Sequence, residues 1–170
     1  MDLSIDSWQS NRLTDLLDHT LKHAVGALKG ISYAPQLADI LAASCANGER
    51  MPAEAVTVLR SLVSTTSGAR GWFVTLLTDE RYDAVFKPPL NPELLRAIEA
   101  SPKPNLKLLT MNVAMSTATE LVHVSNNDED LAAASRLTRD RSKVLLNALL
   151  PRMMGLAEEV QGLRTAVVPW

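Results

Sequence analysis

Leucine and alanine recurring at steps of three and four residues constrain this chain more than any other feature. Leu13, Leu17, Leu21, Ala24 and Leu28 form one stripe at 100° per residue, with Asp15, Asp18, Lys22 and Lys29 opposite. The same spacing returns in Leu37, Ile40, Leu41 and Cys45, and again in Ala55, Val58, Leu59, Leu62 and Val63. There are 27 leucines and 21 alanines against 17 valines and isoleucines together. Leu and Ala lose little conformational freedom in a helix, so the fold class expected is all-α. A length of 170 residues fits one domain, and a chain of that size buries enough surface to need no staple. The expectation is a single-domain bundle of about seven helices spanning residues 1–170.

Punctuation residues divide the chain. The first helix covers residues 8–29 and ends at Gly30; Pro35 opens the second, which Gly48 stops. Pro52 and Glu54 open a third, running to about Thr65. Trp72–Thr78 has strand propensity, but a lone strand in a helical chain leaves its backbone groups unpaired. A helix capped near Ser67 is therefore expected there, with Trp72, Leu76 and Leu77 inward. A proline-rich linker is expected over residues 87–104: Lys87–Pro92 extended, Glu93–Ala100 a short helix, and Ser101–Pro104 closing it. Two long helices follow, Asn105–Ser125 and Asp128–Leu150, with Asn127 as the second one's N-cap. Pro151 starts a last helix that ends before Thr165.

Charge and cysteine content exclude several function classes. A net charge of −2 argues against nucleic acid and anionic membranes as partners. The single cysteine, Cys45, allows no internal disulfide and suits a reducing compartment. The start Met-Asp-Leu-Ser-Ile-Asp lacks the basic and apolar regions of a signal peptide. The longest stretch without a charged residue, Leu108–Thr119, is too short to span a bilayer. The expected location is the cytoplasm, with no membrane contact.

Few residues offer chemistry. His19 and His23 stand four apart, a zinc-binding spacing that Asp15 could extend, but no glutamate follows His19. A surface pair is the simpler reading, and neither a metal nor another cofactor is expected. Cys45 lies on an apolar helix face, where cysteine packs as a small hydrophobe. Asn126–Asp130 lacks the glycine and the terminal glutamate of a calcium loop. Arg136, Arg139 and Lys143 share a helix side while Arg141 turns toward the apolar face; cations suit the C-terminal half of a helix without any ligand. Four of the seven aromatics fall between Trp72 and Phe86. These read first as core; a pocket, if present, would be lined by Arg70, Trp72, Phe73, Asp79 and Tyr82.

Three segments carry a resemblance: Ala69-Arg-Gly-Trp-Phe-Val-Thr-Leu-Leu-Thr-Asp79, Pro88–Glu93 and Asn112-Val-Ala-Met-Ser-Thr-Ala118. Together they resemble a family of small, mostly cyanobacterial all-helical proteins with no assigned activity, over roughly residues 66–145. The resemblance implies an all-α bacterial protein and transfers no catalytic residue.

Two functions follow as expectations. The first is a non-catalytic helical protein acting through protein–protein contact, self-association included. Leu145, Leu149, Met153, Leu156, Val160, Leu163 and Val167 recur at steps close to a heptad seam, and Leu149–Leu163 is the expected homodimer interface. The alternative is a small-molecule binder or enzyme using the aromatic pocket.

Overall fold

A computed structural model describes residues 33–167. The expected helix over residues 8–29, and with it His19 and His23, lies outside them. The described residues form seven α-helices and one 3-10 helix, with no strand. The all-α class is as the composition predicts.

Helix α2 (Ala53–Val63) buries the stripe read from the sequence, and helix α1 (Ala34–Asn47) buries Leu37 and Leu41 of its stripe while Ile40 and Cys45 are half-buried. Gly48, at φ 68°, closes α1 in the left-handed conformation that glycine adopts without strain. Helix α3 (Thr66–Thr78) contains the segment that could have been a strand. Its cap is Thr65 rather than Ser67: the Thr65 hydroxyl accepts from the Gly68 amide at 3.1 Å. The turn between α2 and α3 is so tight that a Cβ on Gly68 would stand 2.1 Å from the Leu62 carbonyl oxygen. Only glycine fits there.

Asp79 caps a 3-10 helix, Glu80–Phe86, that hydrophobic periodicity does not announce. Helix α4 (Pro92–Glu99) is capped by buried Asn91, whose side chain accepts from the Glu93 and Leu94 amides. Helix α5 (Pro102–Ser125) begins three residues before the expected Asn105. Pro102 and Pro104 sit in its first turn, where no amide hydrogen is needed. The proline-rich linker over 87–104 thereby contracts to residues 87–91.

Helix α6 (Glu129–Leu149) is capped by Asp128, which accepts from the Leu131 amide at 3.2 Å. The expected cap, Asn127, instead takes φ 58° and helps close α5. Asparagine tolerates that conformation better than other side chains. Helix α7 (Leu156–Val167) starts five residues after Pro151, because α6 ends in a turn and Gly155 leaves it at φ 87°. The expected seam over 145–167 is therefore broken by a non-helical turn.

One apolar cluster runs from Ala34 to Leu156 around Trp72, Phe73 and Tyr82. α1 packs on the 3-10 helix, α2 on α3 and α4, and α3 on both α5 and α6. The antiparallel α5–α6 pair is the most extensive contact. Its far end leaves this body: from Thr117 to Leu131 no residue is buried.

Candidate functional site

The five residues expected to line a pocket do not converge. Trp72, Phe73 and Tyr82 are filled into the core. Arg70 is exposed and borders a depression on the outer side of α3 with Thr66, Ser67, Val74 and Thr75. Asp79 faces elsewhere, chelating Arg81 at 2.7–3.1 Å. That pairing holds the Asp79 carboxyl below its ordinary range. The Tyr82 hydroxyl donates to Asp39 at 3.1 Å. Burial, and then the Asp39 charge, push its pKa up to about 12. Arg81 lies 5.3 Å from the centre of the Tyr82 ring and 3.7 Å from Asp39, so this group ties α1 to the 3-10 helix.

Among the described residues the buried cation is Arg141, which is 3% exposed. Its guanidinium donates to the carbonyls of Leu76, Leu77, Asp79 and Glu80 and pairs with Asp83. It also lies 4.9 Å from the Phe86 ring centre. The last carbonyls of a helix have no partners within it and carry the negative end of its dipole, so an arginine there acts as a cap. Arg136 and Arg139 both bind Glu120 across the hairpin. The basic cluster seen in the sequence is thus divided: one arginine caps α3, two lock α5 to α6, and Lys143 is exposed.

Cys45 is half-buried, and burial pushes its thiol pKa up, against a hydrogen bond with Asn91. That is the reverse of an activated nucleophile. Among the described residues no group of three or more His, Cys, Asp or Glu could hold a metal ion, and no helix is long and apolar enough to cross a membrane.

What remains is apolar surface. Of the expected interface, Leu149, Met153 and Leu156 are buried in their own core, because the turn at residues 151–155 folds them inward. Val160 and Leu163 stay half-exposed. With Thr110, Val113, Ala114, Leu146 and Arg164 they line a groove of about 370 Å³ between α5, α6 and α7. Beyond it, the hairpin exposes Met115 (56%), Leu121 (67%), Val122 (55%), Val124 (48%) and Leu131 (48%). Sequence reasoning does not single out these five. The charge-free run Leu108–Thr119 is a signal for Met115 alone, and it bears on association as well as on membranes. What this arrangement can do is bury apolar area.

No curated protein and no solved structure is detectably similar to the chain. A family model does match, over residues 32–168, which takes in every described helix and extends the resemblance on both sides. The chain belongs to the family described as Uncharacterised conserved protein UCP020893.

Proposed function

We propose that this is a non-catalytic helical protein of the bacterial cytoplasm that works by binding protein, in the first instance a second copy of itself. The observation that carries this reading is the apolar surface of the α5–α6 hairpin. Met115, Leu121, Val122, Val124 and Leu131 are each about half-exposed or more, spread from the middle of α5 to the start of α6. Large apolar side chains left in water gain free energy when a partner covers them. The neighbouring groove adds Val160 and Leu163, the two residues of the expected interface that their own core leaves open. Polar groups of the body are meanwhile engaged in structural work, Arg141 on carbonyls and Asp79 on Arg81.

Light scattering tests the reading directly. The expected mass at tens of micromolar is twice the 18.5 kDa of one chain, falling on dilution. A mass of one chain across the whole range overturns self-association.

A further inference from the structure

α5 carries a line of mostly apolar residues that begins against its own core at Leu108 and is left open from Met115 onward. Leu108, Met111, Met115, Ala118, Val122 and Ser125 succeed one another at steps of three and four, the spacing of a coiled-coil seam. Leu108 and Met111 are half-buried; Met115, Ala118, Val122 and Ser125 are exposed. α6 lies on another side of the helix. Glu120, which binds the α6 residues Arg136 and Arg139, is five residues from Met115, about 140° round the axis.

Charge says what such a seam fits. No charged residue occurs from Leu108 to Thr119, so the seam offers nothing to select a charged partner and no repulsion to its own copy. Within the seam's span Glu120 is taken up by Arg136 and Arg139, and beyond its two ends lie charges of opposite sign. Lys103 and Lys107 are exposed at the start of α5, while Asp130 and Glu129, the latter also 3.4 Å from Arg136, are exposed at the hairpin turn beside Asp128. Two copies laid antiparallel set the basic end of each beside the acidic end of the other. A parallel pair sets like beside like and aligns the helix dipoles unfavourably. The seam's spacing also reads the same in both directions. In the antiparallel register Met115 meets Ala118 of the second copy, a large side chain against a small one, and Met111 meets Val122.

We propose that two copies of this chain associate through the Leu108–Ser125 seam of α5, antiparallel about a two-fold axis between Met115 and Ala118. This rests on the self-association reading and names its surface. The test uses the full chain with Cys45→Ser, so that no native thiol competes. Met111→Cys and Val122→Cys are made separately, then oxidised alone and as a mixture.

Cross-linked dimer from the mixture, and not from either variant alone, is the expected result. Met115→Asp is expected to weaken the dimer at least tenfold with the helical signal in circular dichroism unchanged, since that side chain is exposed. A cross-link from Met111→Cys alone indicates parallel pairing and overturns the proposal. A dimer by light scattering that yields no cross-link and ignores Met115→Asp overturns the seam while leaving self-association standing. A monomer whose Met111→Cys thiol resists labelling means another part of the chain covers the seam, which overturns the second copy as occupant. A monomer with freely labelled thiols overturns both readings.

Discussion

At its base the α5–α6 hairpin is bound into the body by polar groups with specific partners. Asn105, fully buried, donates to the Val63 carbonyl at 3.0 Å and the Ser101 carbonyl at 2.6 Å, fastening α5 to the end of α2. Arg141 fastens α6 to the end of α3. Toward its turn the same hairpin has only its two helices to rely on, with Glu120 held between Arg136 and Arg139 and Leu121, Val122, Val124 and Leu131 in water. The base is apolar packing disciplined by buried hydrogen bonds; the far end is a helix pair carrying more apolar surface than it can cover. In α5 the apolar residues stand on nearly every side, which is the pattern of a helix surrounded by neighbours. The base supplies those neighbours. The tip does not.

Breaking the base should cost most. Arg141→Met leaves a row of buried carbonyls without donors and frees Asp83, and should lower stability by about 3 kcal/mol or more in a denaturant titration. A loss under about 1 kcal/mol would mean that the cap is dispensable and the contrast between base and tip is overstated.

Tyr82 gives the next effect, through pH. Its folded pKa is raised to about 12 from an ordinary value near 10, so the folded state holds the phenolic proton more tightly. The stabilisation is complete below pH ~10 and is lost as pH rises toward 12, by about 2–3 kcal/mol in all. Tyr82→Phe should flatten that alkaline slope. A slope unchanged in the variant would remove Tyr82 from this role.

At the tip the expected effects are small. Asp128→Ala removes the α6 cap and should cost about 1 kcal/mol. Leu121→Ser, at the most exposed of the five apolar positions, should change monomer stability by under about 0.5 kcal/mol. A larger loss, measured at a concentration where the chain is monomeric, would show that Leu121 is packed within its own chain.

Much of the fold is legible in the sequence because it is local. The stripes of α1 and α2 follow from helical spacing, and the Trp72–Thr78 helix from the need to pair backbone groups. Boundaries are harder to read where two residues compete for one role. Asn127 and Asp128 are both cap formers, and the role falls to Asp128 because Asn127 is the residue that can take the left-handed turn. Pro102 reads as a breaker or as a first-turn residue with equal ease, and the backbone uses it as the latter. The aromatic cluster is core, as its helical spacing implies, whereas the regular spacing at 145–167 suggests an outward face that the turn after α6 folds away.

By itself the sequence determined that this chain is helical, where most of its helices lie and, for α1 and α2, which face is apolar. Those are consequences of side-chain entropy, capping and a 3.6-residue period, all of which act within a few residues. Only the tertiary structure decided which apolar faces are covered. Met153 and Leu156 are buried while Met115 and Leu121 stay in water, though all four sit in similar apolar spacing. Periodicity states that a face wants a neighbour; whether one arrives depends on where the turns at residues 126–128 and 151–155 send the chain. The fate of Arg141 was decided the same way, by α3 ending where its guanidinium could reach the unpaired carbonyls.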